Sequence, residues 1–147
     1  MKFEFRALNI EQVKKIATWR MSIRSRYIDM HAYFESYSME GKPLRGPDNC
    51  LGFAVMQDET LLGLFEYYEK EENFEIGLAI APKWRGKGLG YTFVSEGIAY
   101  GRTLFPGAST VYLEVSRFNK AALKIYRKIG FEECGRHNRF ICMTKAL

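Results

Sequence analysis

A chain of 147 residues, 47% apolar and 27% charged, is long enough for one domain with a real core and too apolar to stay disordered. No apolar run approaches the roughly 20 residues of a membrane span, and Glu4, Arg6 and Glu11 break any signal-peptide core near the N-terminus, so a cytoplasmic protein is expected. The net charge of +5 is uneven: residues 1–73 carry 10 Lys and Arg against 12 Asp and Glu, but residues 74–147 carry 12 against 5, which suits the second half to an anion such as nucleic acid or a phosphorylated cofactor.

Phe3–Ala7 alternates apolar and polar residues and reads as a strand. Asn9 starts a helix, Gln12 completes a capping box, and Ile10, Val13, Ile16 and Ala17 share one face. Residues 20–40, rich in Tyr and Met, are expected to be helical in part, and 41–47 is a loop by its Gly and Pro content. Leu51–Gln57 and Leu61–Tyr68 are β-type runs separated by Asp58-Glu59-Thr60, a hairpin signal. Glu69–Asn73 is a charged turn, and Phe74–Ala81 is the third strand of this meander. Pro82 and the glycines of 86–90 end it. Tyr91–Leu104 has a helical pattern. Thr110–Val115 reads as a buried strand by its unbroken β-type composition. Lys120–Ile129 is a basic amphipathic helix with Gly130 as its C-cap. Phe131–Arg136 and Phe140–Lys145 close the chain as a hairpin. Strand 74–81, helix 91–104 and strand 110–115 form a βαβ crossover, so those two strands run parallel. The class is therefore mixed α/β (α+β): a single, mostly antiparallel central sheet of about seven strands with flanking helices.

Cys50, Cys134 and Cys142 contain no CxxC pair and are odd in number, which fits a reducing compartment better than a disulfide scaffold. Cys134, His137 and Cys142 read C-x2-H-x4-C, but only distant Cys50 or His31 could supply a fourth zinc ligand. Buried thiols in the terminal hairpin, and no metal, are the expectation.

Arg85-Gly86-Lys87-Gly88-Leu89-Gly90 lies between a strand and a helix N-terminus. The first turn of a helix has unpaired N–H groups and a positive dipole end, and glycines let the backbone approach phosphate oxygens closely. The loop lacks the Lys-Ser/Thr of a Walker motif. It reads GxGxG instead of GxGxxG, with one βαβ unit where a dinucleotide fold needs two.

These residues resemble the GNAT superfamily of N-acetyltransferases. Arg85, Gly88 and Gly90 match its Gln/Arg-x-x-Gly-x-Gly/Ala loop. Leu113, Val115, Asn119, Ala122, Tyr126, Gly130 and Phe131 fall in register with its second hallmark, L-x-V-x-x-x-N-x-x-A-x-x-x-Y-x-x-x-G-F. The close match covers residues 74–133.

The resemblance implies acetyl-CoA as donor and an amine acceptor: a protein N-terminus, a lysine or a small amine. It places the pyrophosphate on the loop amides of Arg85, Gly86, Lys87, Gly88, Leu89 and Gly90. Backbone groups near Leu78 and Ile80 would pair with the pantetheine arm. Asn119 would bond near the pantetheine or pyrophosphate, or else cap the helix that follows it. Lys87 is singled out for the 3′-phosphate among the basic positions, which include Lys120, Lys124, Arg127 and Lys128. Tyr126 matches the position of the general acid. Glu114, twelve residues earlier, and Glu75 match two positions of the general base, with Glu66 a weaker third. The acidic first half, with Glu35, Glu40 and several tyrosines, suits a cationic acceptor. The alternative is a non-catalytic acyl-CoA-binding module. Neither membrane nor nucleic acid is expected as a partner, and a homodimer stays open.

Overall fold

The computed structural model describes residues 3–20, 28–38 and 40–147. In chain order the elements are β1 (Glu4–Ala7), α1 (Ile10–Ile16), α2 (His31–Ser36), β2 (Leu51–Gln57), β3 (Thr60–Glu69), β4 (Asn73–Ile80), α3 (Gly90–Leu104), β5 (Thr110–Ser116), α4 (Lys120–Ile129), β6 (Glu132–His137) and β7 (Phe140–Ala146). The strands form one seven-stranded sheet in the order β1-β2-β3-β4-β5-β7-β6. β4 and β5 run parallel, joined through α3, while β1–β2, β2–β3, β5–β7 and β6–β7 are antiparallel. This is the mixed sheet with one crossover that the sequence pattern implies. Within 20–40, α2 supplies the expected helix; the parts of that expectation on residues 21–27 and 39 lie outside the described residues.

By internal contacts the chain divides into two compact units. The first reaches to Tyr68 and takes in Leu78–Lys87; the second is Glu69–Gly77 with Gly88–Leu147. In the first unit Asn9 caps α1, its side chain accepting from the Gln12 amide at 2.8 Å while the Gln12 side chain accepts from the Asn9 amide at 3.0 Å. α1 buries Val13 and Ile16, which join Leu8, Trp19, Met30, Tyr33, Ala54, Met56 and Leu64 in one core cluster. The β2–β3 hairpin turns at Asp58, whose φ of 52° is the left-handed conformation that Asp tolerates in tight turns.

In the second unit α3 buries Phe93, Val94 and Ile98, and Phe105 at its C-cap stacks on Phe74 of β4 at 5.4 Å. Two expectations are corrected here. β5 is buried on one face only: Val111, Leu113 and Val115 are inside, while Tyr112 and Ser116 are half-buried and Glu114 is exposed. Unbroken β-type composition hid a period-2 alternation, because Tyr and Thr suit a half-open face as well as a core. The hairpin thiols are not both buried either. β6 is an edge strand exposed along its whole length, so Cys134 is exposed and Cys142 half-buried. Among the described residues no cluster of His, Cys, Asp and Glu could hold a metal ion, and no helix is long and apolar enough to cross a membrane.

Candidate functional site

The glycine loop has the conformation its composition allows. Gly86 and Gly88 take φ values of 70° and 77°, and a Cβ at either would meet open space. The backbone, not crowding, therefore requires glycine at these two positions. α3 starts at Gly90 with Leu89 as its N-cap and no side-chain cap, so its first-turn N–H groups lack the usual partner. None of the N–H groups of Gly86, Lys87, Gly88, Leu89 and Gly90 bonds to another described residue.

Arg85 is used differently. Its amide donates to the Pro82 carbonyl, and its guanidinium donates to the carbonyls of Ile80, at 2.9 Å, and Arg20. It ties the loop entry to its own unit, and the N–H groups with no partner among the described residues begin at Gly86. One residue upstream, the indole N–H of Trp84 is buried with no partner among the described residues. Such an orphan is uncommon in a folded protein.

The second unit carries the groups suited to proton chemistry. In β4 and β5 the parallel ladder pairs Phe74 with Val111, Glu75 with Tyr112 and Ile76 with Leu113; Gly77–Ile80, which includes Leu78, lies outside that ladder. Glu114 pairs with Cys142 of β7, whose thiol donates to the Glu114 carboxylate at 3.8 Å. Alternation then puts Glu75, Tyr112, Glu114 and Cys142 on one face, and Phe74, Val111, Leu113 and Met143 on the other. Burial pushes the Cys142 thiol above its ordinary range, and the negative charges of Glu114 and Glu75 push it further. Both base candidates thus share one face. Tyr126 lies on α4, whose Leu123 lines one groove with Ile141, a residue of the opposite face.

Tyr126 is 8% exposed and packs edge-on against Phe131 at 5.8 Å. Its hydroxyl makes no hydrogen bond to another described residue, and burial pushes its pKa up to about 12. Asn119 caps α4, its side-chain oxygen accepting from the Ala122 amide at 3.2 Å. That leaves its side-chain NH2 available.

Glu66 is drawn into the first unit instead. Tyr33 donates to it at 2.5 Å, Tyr68 at 3.4 Å and Cys50 at 3.7 Å. Burial raises the Glu66 carboxyl above the usual range, and the Cys50 thiol is pushed up to about 11. Sequence reasoning missed this cluster, which joins residues 17 and 33 positions apart. Gly46 and Gly52 make room for it: a Cβ at either would collide with the Tyr33 ring.

A family model described as the acetyltransferase (GNAT) family matches residues 13–131. The chain belongs to this family. Among curated GNAT relatives, the spermidine N(1)-acetyltransferase of Vibrio cholerae is 32% identical over 95 residues, covering 60% of this chain and 53% of that protein. The N-alpha-acetyltransferase RimI of Mycobacterium tuberculosis is 33% identical over 69 residues, 47% of this chain and 40% of that protein. The chain thus aligns with about half or less of these relatives' lengths. Among solved structures, the Campylobacter jejuni N-acetyltransferase PseH in complex with acetyl coenzyme A superposes with a TM-score of 0.73 at 22% identity, over 99% of both chains. A chimeric spermidine N-acetyltransferase from Vibrio cholerae gives 0.75 at 23% identity, over 97% of this chain and 95% of the other. At such identities the likeness establishes the GNAT fold.

Proposed function

We propose that the protein is an acetyl-CoA-dependent N-acetyltransferase, one domain acting in the cytoplasm on a cationic amine. The observation that carries this reading is the uncapped start of α3 behind a glycine loop whose five N–H groups bond to no other described residue. Such a cradle binds a pyrophosphate through oriented N–H dipoles at a positive helix end. Lys87 adds a cation there and serves the 3′-phosphate. The backbone of Leu78 and Ile80 aligns the pantetheine arm as an added strand, and the Asn119 amide orients it. Family membership and the acetyl-CoA complex of PseH support this donor.

Acetyl-CoA supplies an activated thioester, whose carbonyl carbon takes the amine nitrogen while the C–S bond breaks. An ordinary ammonium holds its proton to a pKa near 10.4, so a positioned base speeds attack. Glu114 takes that role, with Glu75 its neighbour on the same face. Tyr126, on the opposite face, serves the leaving sulfur. With its hydroxyl near 12, proton transfer to a thiolate of ordinary pKa about 8.5 is uphill. Tyr126 therefore stays protonated and stabilises the developing negative charge by donating a hydrogen bond, and the thiolate is protonated afterwards.

Relatives that act on spermidine, or are named as N-alpha-acetyltransferases, together with the acidic first half of the chain, support a cationic amine acceptor. Calorimetry tests the donor site. Wild type is expected to bind acetyl-CoA, and Gly88→Glu, which puts an anion at the cradle, to lose binding while its circular dichroism stays native. Unchanged affinity in the folded variant would overturn the assignment of the loop.

A further inference from the structure

A groove of about 430 Å³ lies in the second unit, lined by Arg117, Phe118, Lys120, Leu123, Lys124, Arg127, Arg136 and Ile141. Five of these side chains are cations. Arg136 is held by Glu133 at 2.5 Å, and the Glu133 charge also reaches Arg127, but among the described residues no carboxylate forms an ion pair with Arg117, Lys120 or Lys124. Lys120, Lys124 and Arg127 stand at i, i+4 and i+7 of α4, one stripe about 10 Å long. At one end the Phe118 ring is 51% exposed, with the Arg117 guanidinium 4.9 Å from its centroid.

This groove is not the glycine-loop cradle. Where α3 begins, a Cβ on Gly90 would strike the Ile125 side chain, and Lys128 sits 5.2 Å over the Tyr91 ring. The α3 start therefore meets α4 on its Ile125 and Lys128 flank. Leu123 and Arg127 lie on the other flank and line the groove with Arg136 and Ile141 of the β6–β7 hairpin, while Lys124 stands between the two flanks, one turn before Lys128.

We infer that this groove binds single-stranded nucleic acid. The stripe and Arg117 together offer up to four cations to the phosphates of a strand, and an exposed ring beside a guanidinium is a stacking platform for a base. An acidic peptide would answer the cations but leave the ring without a role. The inference stands apart from acetyl transfer, since neither the groove nor its cations enter the proposed chemistry.

Fluorescence anisotropy of the full chain with labelled oligouridylate and oligothymidylate tests it. Binding is expected at about 50 mM KCl, weakening with a log–log salt slope of about −2 to −3, as three or four contacts to a single strand require. Comparable binding of the two oligonucleotides would assign the contacts to phosphate and base face, and tighter RNA binding would add the 2′-hydroxyl. The double variant Lys124→Glu, Arg127→Glu should lose tenfold or more, and Phe118→Ala, at an exposed position, several-fold. Saturating CoA should leave the affinity unchanged. Absence of binding at low salt would overturn the inference. So would displacement by CoA, which would give the groove to the donor's nucleotide, or equal competition by polyglutamate, which would give it to an acidic protein. Loss of CoA binding in Gly88→Glu with RNA binding intact would separate the two sites.

Discussion

At the residue scale the account rests on Tyr126 and Glu114. Tyr126→Phe removes a hydroxyl that bonds to no described residue and leaves the ring packed on Phe131. Removing one donor to a developing charge costs about 10²–10³ in kcat, and KM for acetyl-CoA should barely move because the loss falls on the transition state. Full turnover by the variant, with chemistry rate-limiting, would make Tyr126 a packing residue. Because burial lifts the hydroxyl to about 12, its ionisation should not depress the wild-type rate across the neutral and mildly alkaline range. Glu114→Gln should slow transfer at neutral pH and recover as pH climbs toward the amine's own pKa of about 10.4, where the free base no longer needs help. If Glu75→Gln behaves this way and Glu114→Gln does not, the base is Glu75. Tyr126 and Glu114 both come from the resemblance to the family's second hallmark, a contiguous stretch of sequence. Tyr33 and Glu66 were not legible as a pair, because their bond closes over 33 residues and no local pattern encodes it.

At the element scale, the start of α3 was readable from its glycines, and the structure adds why each one is there. Gly88 has open space but a φ of 77°, so a side chain costs backbone strain of about 1–2 kcal/mol. Gly90 has an ordinary φ, but a Cβ would lie 2.5 Å from the Ile125 Cδ1, the far end of a flexible side chain. Gly90→Ala should therefore fold with a destabilisation of about 1 kcal/mol or less, read as a small fall in the urea midpoint; an unfolded variant would mean α4 cannot yield. Burial in β5 was misjudged because Tyr112 and Glu114 continue a run whose composition does not distinguish one covered face from two. The α2–β3 contact carries a pH signature. Burial raises the Glu66 carboxyl above its unfolded value, so the stability it contributes is complete below the ordinary carboxylate range. That contribution is lost as pH rises through the raised folded value. Glu66→Gln keeps an acceptor for Tyr33 and should flatten this part of the urea-midpoint profile against pH. An identical profile in both proteins would show that Glu66 is not held in its neutral form.

At the scale of the whole molecule, the single crossover and the parallel β4–β5 pair followed from chain-order patterning, because β4, α3 and β5 are long and cleanly bounded; that β7 lies between β5 and β6 did not. Residues 20–40 gave only the expectation of a partial helix. The surplus of cations after residue 74 was also visible, but its placement was not. Arg117, just before α4, and Lys120, Lys124 and Arg127 on it line one groove, a convergence that a charge count cannot reveal. The most direct test of the central claim is mass spectrometry of amine acceptors incubated with acetyl-CoA and the purified protein. The panel should span a polyamine, a lysine peptide and peptides with free N-termini. The account predicts that at least one cationic acceptor gains a single acetyl group at a rate set by the protein, that Tyr126→Phe slows this gain, and that Gly88→Glu abolishes it. Tight acetyl-CoA binding with no acetylated product across the panel would contradict it and leave a non-catalytic acyl-CoA-binding module.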